Sequence, residues 1–133
     1  MYILDTNIIS YMMKGSTLIE NKLKAIDPDL IYLTSITASE LLYGARKNKF
    51  KSHSLLKSYA ALFDQCEILD FDLASANEFS KIKSDLKLKG NIIEDADIQI
   101  ASIAKANNMI VVTDNFKDFK RIDGIAIENW SKE

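Results

Sequence analysis

The sequence predicts a single α/β domain over residues 1–133, with a mostly parallel central sheet of four to five strands flanked by helices. Three observations carry that expectation. Short apolar runs alternate along the chain with longer segments of helical periodicity, the pattern of βαβ units. The composition is that of an ordinary folded domain, 47% hydrophobic and 27% charged in 133 residues. With four glycines and one proline, the chain has no linker, internal repeat or low-complexity stretch at which to divide. A chain of this length buries roughly two thirds of its unfolded surface and needs no staple.

The elements follow in order. Tyr2–Leu4 is a short apolar run suited to a buried strand. Residues 7–14 carry Ile8, Ile9, Tyr11 and Met12 and end at Gly15, which suits a short helix. Residues 18–26 place Leu18, Ile19, Leu23 and Ile26 at helical spacing behind Ser16, a candidate N-cap. Asp27-Pro28-Asp29 is a turn, and residues 30–33 a second strand. Residues 38–46 are helical, with Leu41, Leu42 and Ala45 on one face; residues 54–63 continue as a helix. Glu67–Leu69 is a third strand. Leu73–Leu88 is a long helix opened by Asp72 and closed by Gly90. Residues 95–107 form another helix, residues 109–112 a Val-containing fourth strand, and residues 125–127 a last strand near Trp130.

Charge and cysteine content exclude several function classes. The net charge is −2, from 17 basic and 19 acidic residues, unlike the strongly basic balance of a stand-alone nucleic-acid binder. The charges are nevertheless segregated. Residues 41–62 hold Arg46, Lys47, Lys49, Lys51, Lys57 and His53 without one acid. A second basic cluster, Lys81, Lys83, Lys87 and Lys89, is interrupted by Asp85, and acids gather at Glu94, Asp95 and Asp97. One cysteine, Cys66, leaves no internal disulfide and no cysteine-based zinc cluster. It reads as a small buried hydrophobe. No apolar run approaches the ~18 residues of a membrane span. The N-terminus enters an apolar run at once, with no basic leader segment, so the expected location is a reducing cytoplasm.

In parallel α/β sheets, ligands sit outside the carboxyl ends of the strands, and carboxylates lie there in this sequence. Asp5 directly follows the first strand. Glu40 follows the second by a short loop. Asp97 is in the first turn of the helix before the fourth strand, and Asp114, Asn115 and Asp118 follow that strand. Carboxylates gathered on one edge raise each other's pKa unless something offsets their charge. A divalent cation does so, and oxygen donors select Mg²⁺, or Mn²⁺, over zinc. Such a site favours phosphoester hydrolysis. Structural alternatives stand beside each residue. Glu40 closes a candidate capping box with Thr37. Asp95 suits a helix dipole, and Asp114-Asn115 suits a turn. Asp97 falls near the buried face of its helix, where an unpaired acid is costly. Asp5, at the end of a central strand, needs a partner.

Together these residues resemble a known family. Leu4-Asp5-Thr6-Asn7, then Ser35 and Ser39-Glu40-Leu41 with Gly44, are similar to the motifs of PIN-domain ribonucleases, specifically the VapC-type toxins of bacterial toxin–antitoxin pairs. So are Asp97 to Ala101, Val112-Thr113-Asp114-Asn115 with Asp118-Phe119, and Ile127-Glu128-Asn129-Trp130. The resemblance runs over nearly the whole chain. It implies a Mg²⁺-dependent endoribonuclease, leaving a 5′-phosphate and a 3′-hydroxyl, with tRNA among its candidate substrates. Asp5, Glu40 and Asp97 match the family's metal-binding and catalytic acids. The fourth acidic position is Asp118 or Asp114, because Asn115 stands where the family often has an acid. Thr6, Asn7 and Thr113, with Asp114 and Asn115, match neighbours that orient the carboxylates.

The resemblance also implies a VapB-type antitoxin as partner, contact with DNA only through that antitoxin, and a homodimer. Ile8, Ile9, Met12 and Met13 suit either a dimer surface or ordinary core. Arg46, Lys47, Lys49 and Lys51 are candidates for contacts to the RNA backbone, or else a solvated helix face. His53 reads as a surface residue and Trp130 as packing at the end of the sheet. The competing functional reading is a catalytically silent PIN module that binds RNA or protein. A haloacid-dehalogenase-type phosphatase would need an aspartate where Asn7 stands. A receiver domain would need paired acids at the first strand and a strand-end lysine, and neither is present.

Overall fold

The computed structural model describes residues 1–132; Glu133, the last residue of the expected domain, lies outside them. Five strands form one sheet: β1 (Tyr2–Leu4), β2 (Ile31–Thr34), β3 (Glu67–Leu69), β4 (Ile110–Val112) and β5 (Ala126–Glu128). Their order is β3-β2-β1-β4-β5 and every pairing is parallel. The chain winds outward from β1 through β2 to β3, then returns to lay β4 on the other side of β1. The direction of winding therefore reverses between β1 and β4, which opens a crevice at their carboxyl ends. The register Leu4↔Val112 makes Asp5 and Thr113 the first residues beyond that pair.

Among the described residues, seven α-helices cover the sheet: α1 (Thr6–Met13), α2 (Thr17–Lys24), α3 (Ser35–Arg46), α4 (Ser52–Gln65), α5 (Leu73–Leu88), α6 (Asp95–Ala106) and α7 (Phe116–Phe119). Side chains alternate across the central strands, so the core has two halves. Ile3 and Val111 join Ile82, Leu86, Ile98 and Ile103 beneath α5 and α6. Leu4, Leu33 and Val112 join Ile8, Ile9, Ile19, Leu41 and Trp130 beneath α1 to α4. Truncating a wholly buried residue such as Ile3 to alanine costs about 2–5 kcal/mol.

Three local expectations change. Helix α3 begins three residues before the expected start, because the Thr34 hydroxyl caps it by accepting the Thr37 N–H at 3.1 Å. Glu40 thus lies beyond the first turn, no capping box forms with Thr37, and its carboxylate is released for other contacts. Helix α7 has only four residues, too few for periodicity to reveal it. Cys66 is half-buried at the rim of the second core rather than buried within it. Other expectations hold. Ser16 and Asp72 cap α2 and α5, and Gly90 ends α5 at φ +71°. Trp130 is buried against Tyr2, its indole N–H donating to Glu128 Oε1 at 3.0 Å. Ile8 and Ile9 are core residues and Met12 packs on that core, while Met13 is exposed. Among the described residues, no helix is long and apolar enough to cross a membrane.

Candidate functional site

The site begins with Asp5, 3% exposed at the point where β1 becomes α1. A carboxylate there caps the helix: its Oδ1 accepts the Thr6 N–H at 2.8 Å. Its Oδ2 accepts the Thr113 hydroxyl at 2.8 Å, a bond across the β1–β4 switch point between residues far apart in sequence. Asn7 Nδ2 approaches the same oxygen at 3.4 Å, and the Asn7 side-chain oxygen accepts the Asp114 N–H at 3.4 Å. Thr6, Asn7 and Thr113, the residues expected to orient the carboxylates, thus form a hydrogen-bonded collar around Asp5.

Glu40 and Asp97 arrive from α3 and α6. The Thr6 hydroxyl donates to Glu40 Oε1 at 2.7 Å, tying α3 to α1. Asn115, just after β4, donates its amide to Asp97 Oδ2 at 3.3 Å and to Asp118 Oδ2 at 3.1 Å. Its own backbone N–H is held by Thr113 Oγ1 at 2.9 Å. A neutral amide therefore stands between two carboxylates where a fifth acid would have added repulsion. Asp114 points the other way and accepts the Tyr11 phenol. Of the two candidates for the fourth acid, Asp118 is the one that shares a hydrogen-bond partner with Asp97.

The electrostatics follow from this crowding. Asp97 is pushed up to about 7, by burial first and then by the negative charges of Asp5, Glu40, Glu94 and Asp118. Burial also raises Asp5, with Glu40 and Asp114 adding to the effect; the Thr113 and Thr6 hydrogen bonds oppose it. No lysine or arginine forms an ion pair with Asp5, Glu40 or Asp97 among the described residues. Arg121 reaches Asp118 at 3.9 Å.

The donor set suits a hard divalent cation: carboxylate oxygens from three elements, lacking a cationic partner from the chain itself. Among the described residues, no three histidine, cysteine, aspartate or glutamate side chains stand as a ready-made ligand set. Each carboxylate is held by its own hydroxyl or amide, Asp5 by Thr113, Glu40 by Thr6 and Asp97 by Asn115.

The other expected residues lie elsewhere. Arg46, Lys47, Lys49 and Lys51 are exposed at and after the end of α3, with Lys47 over the Tyr43 ring at 5.1 Å. Asp95 is exposed in the first turn of α6, the place expected of it, and it also pairs with Lys83 at 2.8 Å. His53 is exposed on α4. Sequence reasoning missed two participants. Glu94, the residue before α6, acts on Asp97 through its charge; its place in the Glu94-Asp95-Ala96-Asp97 run was the available signal. Tyr11 carried none, because its partner Asp114 is 103 residues away.

Comparison with known proteins places this geometry. The sequence model described as "PIN domain" matches residues 2–125. Ribonuclease VapC2 of Rickettsia felis is 38% identical over 133 residues, covering 98% of each chain. A protein of Shigella flexneri named tRNA(fMet)-specific endonuclease VapC is 29% identical over 132 residues, again covering 98% of each. Among solved structures, VapBC2 of Rickettsia felis bound to a DNA fragment from its promoter superposes with a TM-score of 0.91. That match has 35% identity and covers 97% of this chain and 98% of that one.

Proposed function

The chain belongs to the PIN-domain family, and on that footing we propose that it is a divalent-metal-dependent endoribonuclease, the toxin of a VapBC-type pair. The observation that carries this reading is the convergence of Asp5, Glu40 and Asp97 at the β1–β4 switch point, with no cation of the chain paired to them. In this reading the three carboxylates hold Mg²⁺, with Mn²⁺ as a substitute. When bound, the ion activates water and offsets negative charge on the scissile phosphate.

The chain's own residues supply position. Thr113 and the Thr6 N–H fix both oxygens of Asp5. Thr6 holds Glu40 from the neighbouring helix. Asn115 spaces Asp97 from Asp118, so Asp118 stands as an outer carboxylate of the site. Glu40 orients the attacking water or completes the ion's ligands. Full-length similarity to a relative named for tRNA(fMet) supports a tRNA as substrate. Similarity to VapBC assemblies supports a VapB-type antitoxin, through which contact with promoter DNA would run. A homodimeric toxin within a bacterial cytoplasm belongs to the same reading. An antitoxin arginine fits the uncompensated carboxylates bidentately.

The test is incubation of the purified protein with total cellular RNA, with and without Mg²⁺, followed by mapping of the cut sites. Discrete Mg²⁺-dependent cuts that disappear in Asp5→Asn are expected. Equal cleavage by Asp5→Asn would defeat the assignment.

A further inference from the structure

Two adjoining clefts flank the acidic site on its Asp114 side. One, of about 450 Å³, is lined by Tyr11, Lys14 and Lys132 among others; the second, of about 610 Å³, by Lys22 and Phe116. They share Asp114 and Lys132 as a common wall and together make up a two-lobed trough. Its three lysines come from the end of α1, from α2 and from beyond β5, and all are exposed. None of them forms an ion pair among the described residues. Attraction to helix carboxyl ends accounts for basic residues at positions 14 and 22. It does not account for their meeting Lys132, which lies in no helix.

We infer that this trough is the track along which single-stranded RNA enters the site. The inference rests on the nuclease reading and names the part of the surface that holds the substrate's backbone. A pocket of uncompensated carboxylates repels a polyanion, so a nuclease needs cations beside the site rather than within it. The trough supplies them next to Asp114, whose backbone N–H is bonded to the Asn7 side chain of the Asp5 collar. Asp114 itself is turned toward the Tyr11 phenol. The lining also favours RNA over a peptide that docks by an apolar face. Besides the lysines, its walls carry small hydroxyls, an amide and two partly exposed aromatic rings, Tyr11 and Phe116. Spaced cations with isolated rings suit phosphates and stacked bases. A peptide docking by an apolar face would need a continuous apolar wall, whereas here lysines and hydroxyls interrupt the rings.

The experiment measures binding of a labelled 15-nucleotide single-stranded RNA to the Asp5→Asn protein without divalent ion, across a salt series. Combining Lys14→Gln, Lys22→Gln and Lys132→Gln should weaken binding at least about 10-fold and flatten the log–log salt slope by about 2, as expected for three lost phosphate contacts on a single strand. Phe116→Ala should weaken binding several-fold with the slope unchanged. A charge-matched control, Lys57→Gln with Lys81→Gln and Lys87→Gln, should leave the slope in place. Equal affinity and slope in the trough and control variants would overturn the track. So would intact RNA binding alongside lost binding of a glutamate-rich peptide, which would assign the trough to a protein partner. Cleavage of total RNA by the wild-type protein is scored in parallel. Failure there removes the nuclease reading, whereas cleavage with unaltered RNA binding in the trough variant removes the track alone.

Discussion

The carboxylate site and the basic loop after α3 hold opposite charges in opposite ways. Arg46, Lys47, Lys49 and Lys51 are neighbours in sequence, exposed, and tied to little beyond the Tyr43 ring. Asp5, Glu40, Asp97 and Asp118 come from four separate elements, partly or wholly buried, and each is bound by a specific hydroxyl, amide or backbone N–H. Exposed charges cost little to place and little to lose. Half-buried like charges raise the free energy of the fold, and persist only where the surroundings position them. Charge held at such a cost marks chemistry; charge held cheaply marks, at most, attraction.

The largest expected effect breaks the costly side. Asp5→Asn should lower Mg²⁺-dependent RNA cleavage by well over about 100-fold, more than loss of a positioning group costs, while circular dichroism remains that of the wild type. Thr113→Val removes only the hydroxyl that orients Asp5. It should weaken apparent metal affinity by about 10–100-fold, read as the Mg²⁺ concentration giving half-maximal cleavage. Unchanged Mg²⁺ dependence would mean that the collar does not position the acid.

Asp97 sharpens the comparison through stability. Its carboxyl titrates near 7 when folded and near its ordinary value of 3.8 when unfolded. Below 3.8 it is protonated in both states and costs nothing. As pH rises through about 7 it ionises among its neighbours, and the folded state loses stability. Metal-free Asp97→Asn should therefore be more stable than wild type at pH 8 by about 1–3 kcal/mol, allowing for solvent screening. The gain should vanish by pH 3, and urea melts at the two pH values measure it. A gain that is the same at both pH values would contradict this origin.

The cheap side should yield the smallest changes. Neutralising Lys47, Lys49 and Lys51 to glutamine is expected to alter unfolding free energy by less than about 1 kcal/mol. If the loop touches RNA, the log–log salt slope of binding falls by up to about 2. If it is a solvated face, the slope stays constant.

Much of this was legible in one dimension. The alternation of short apolar runs with amphipathic segments foretold a mostly parallel sheet of four to five strands, because periodicity reports directly which faces are buried. Asp72, Ser16 and Gly90 announced helix ends through local hydrogen bonding and backbone freedom, interactions that span only a few residues. Asp5 was conspicuous because a charge on the end of an apolar strand requires a partner. The start of α3 was not legible, since Thr34 and Thr37 are both competent caps and only packing against β2 selects between them. The four-residue α7 was too short to declare a period.

The tertiary fold decided what those residues do. Covalent order established which carboxylates exist and that most of them follow strands. The reversal of winding at β1 and β4 then brought Asp5 to Thr113, and through Asn115 to Asp97 and Asp118. It likewise assembled Lys14, Lys22 and Lys132 into one trough, a cluster with no trace in the linear charge pattern. The physical reason is range. Periodicity, capping and turn chemistry act over a few residues and can be read along the chain, whereas charge–charge repulsion and concave shape depend on distances that only the closed sheet defines.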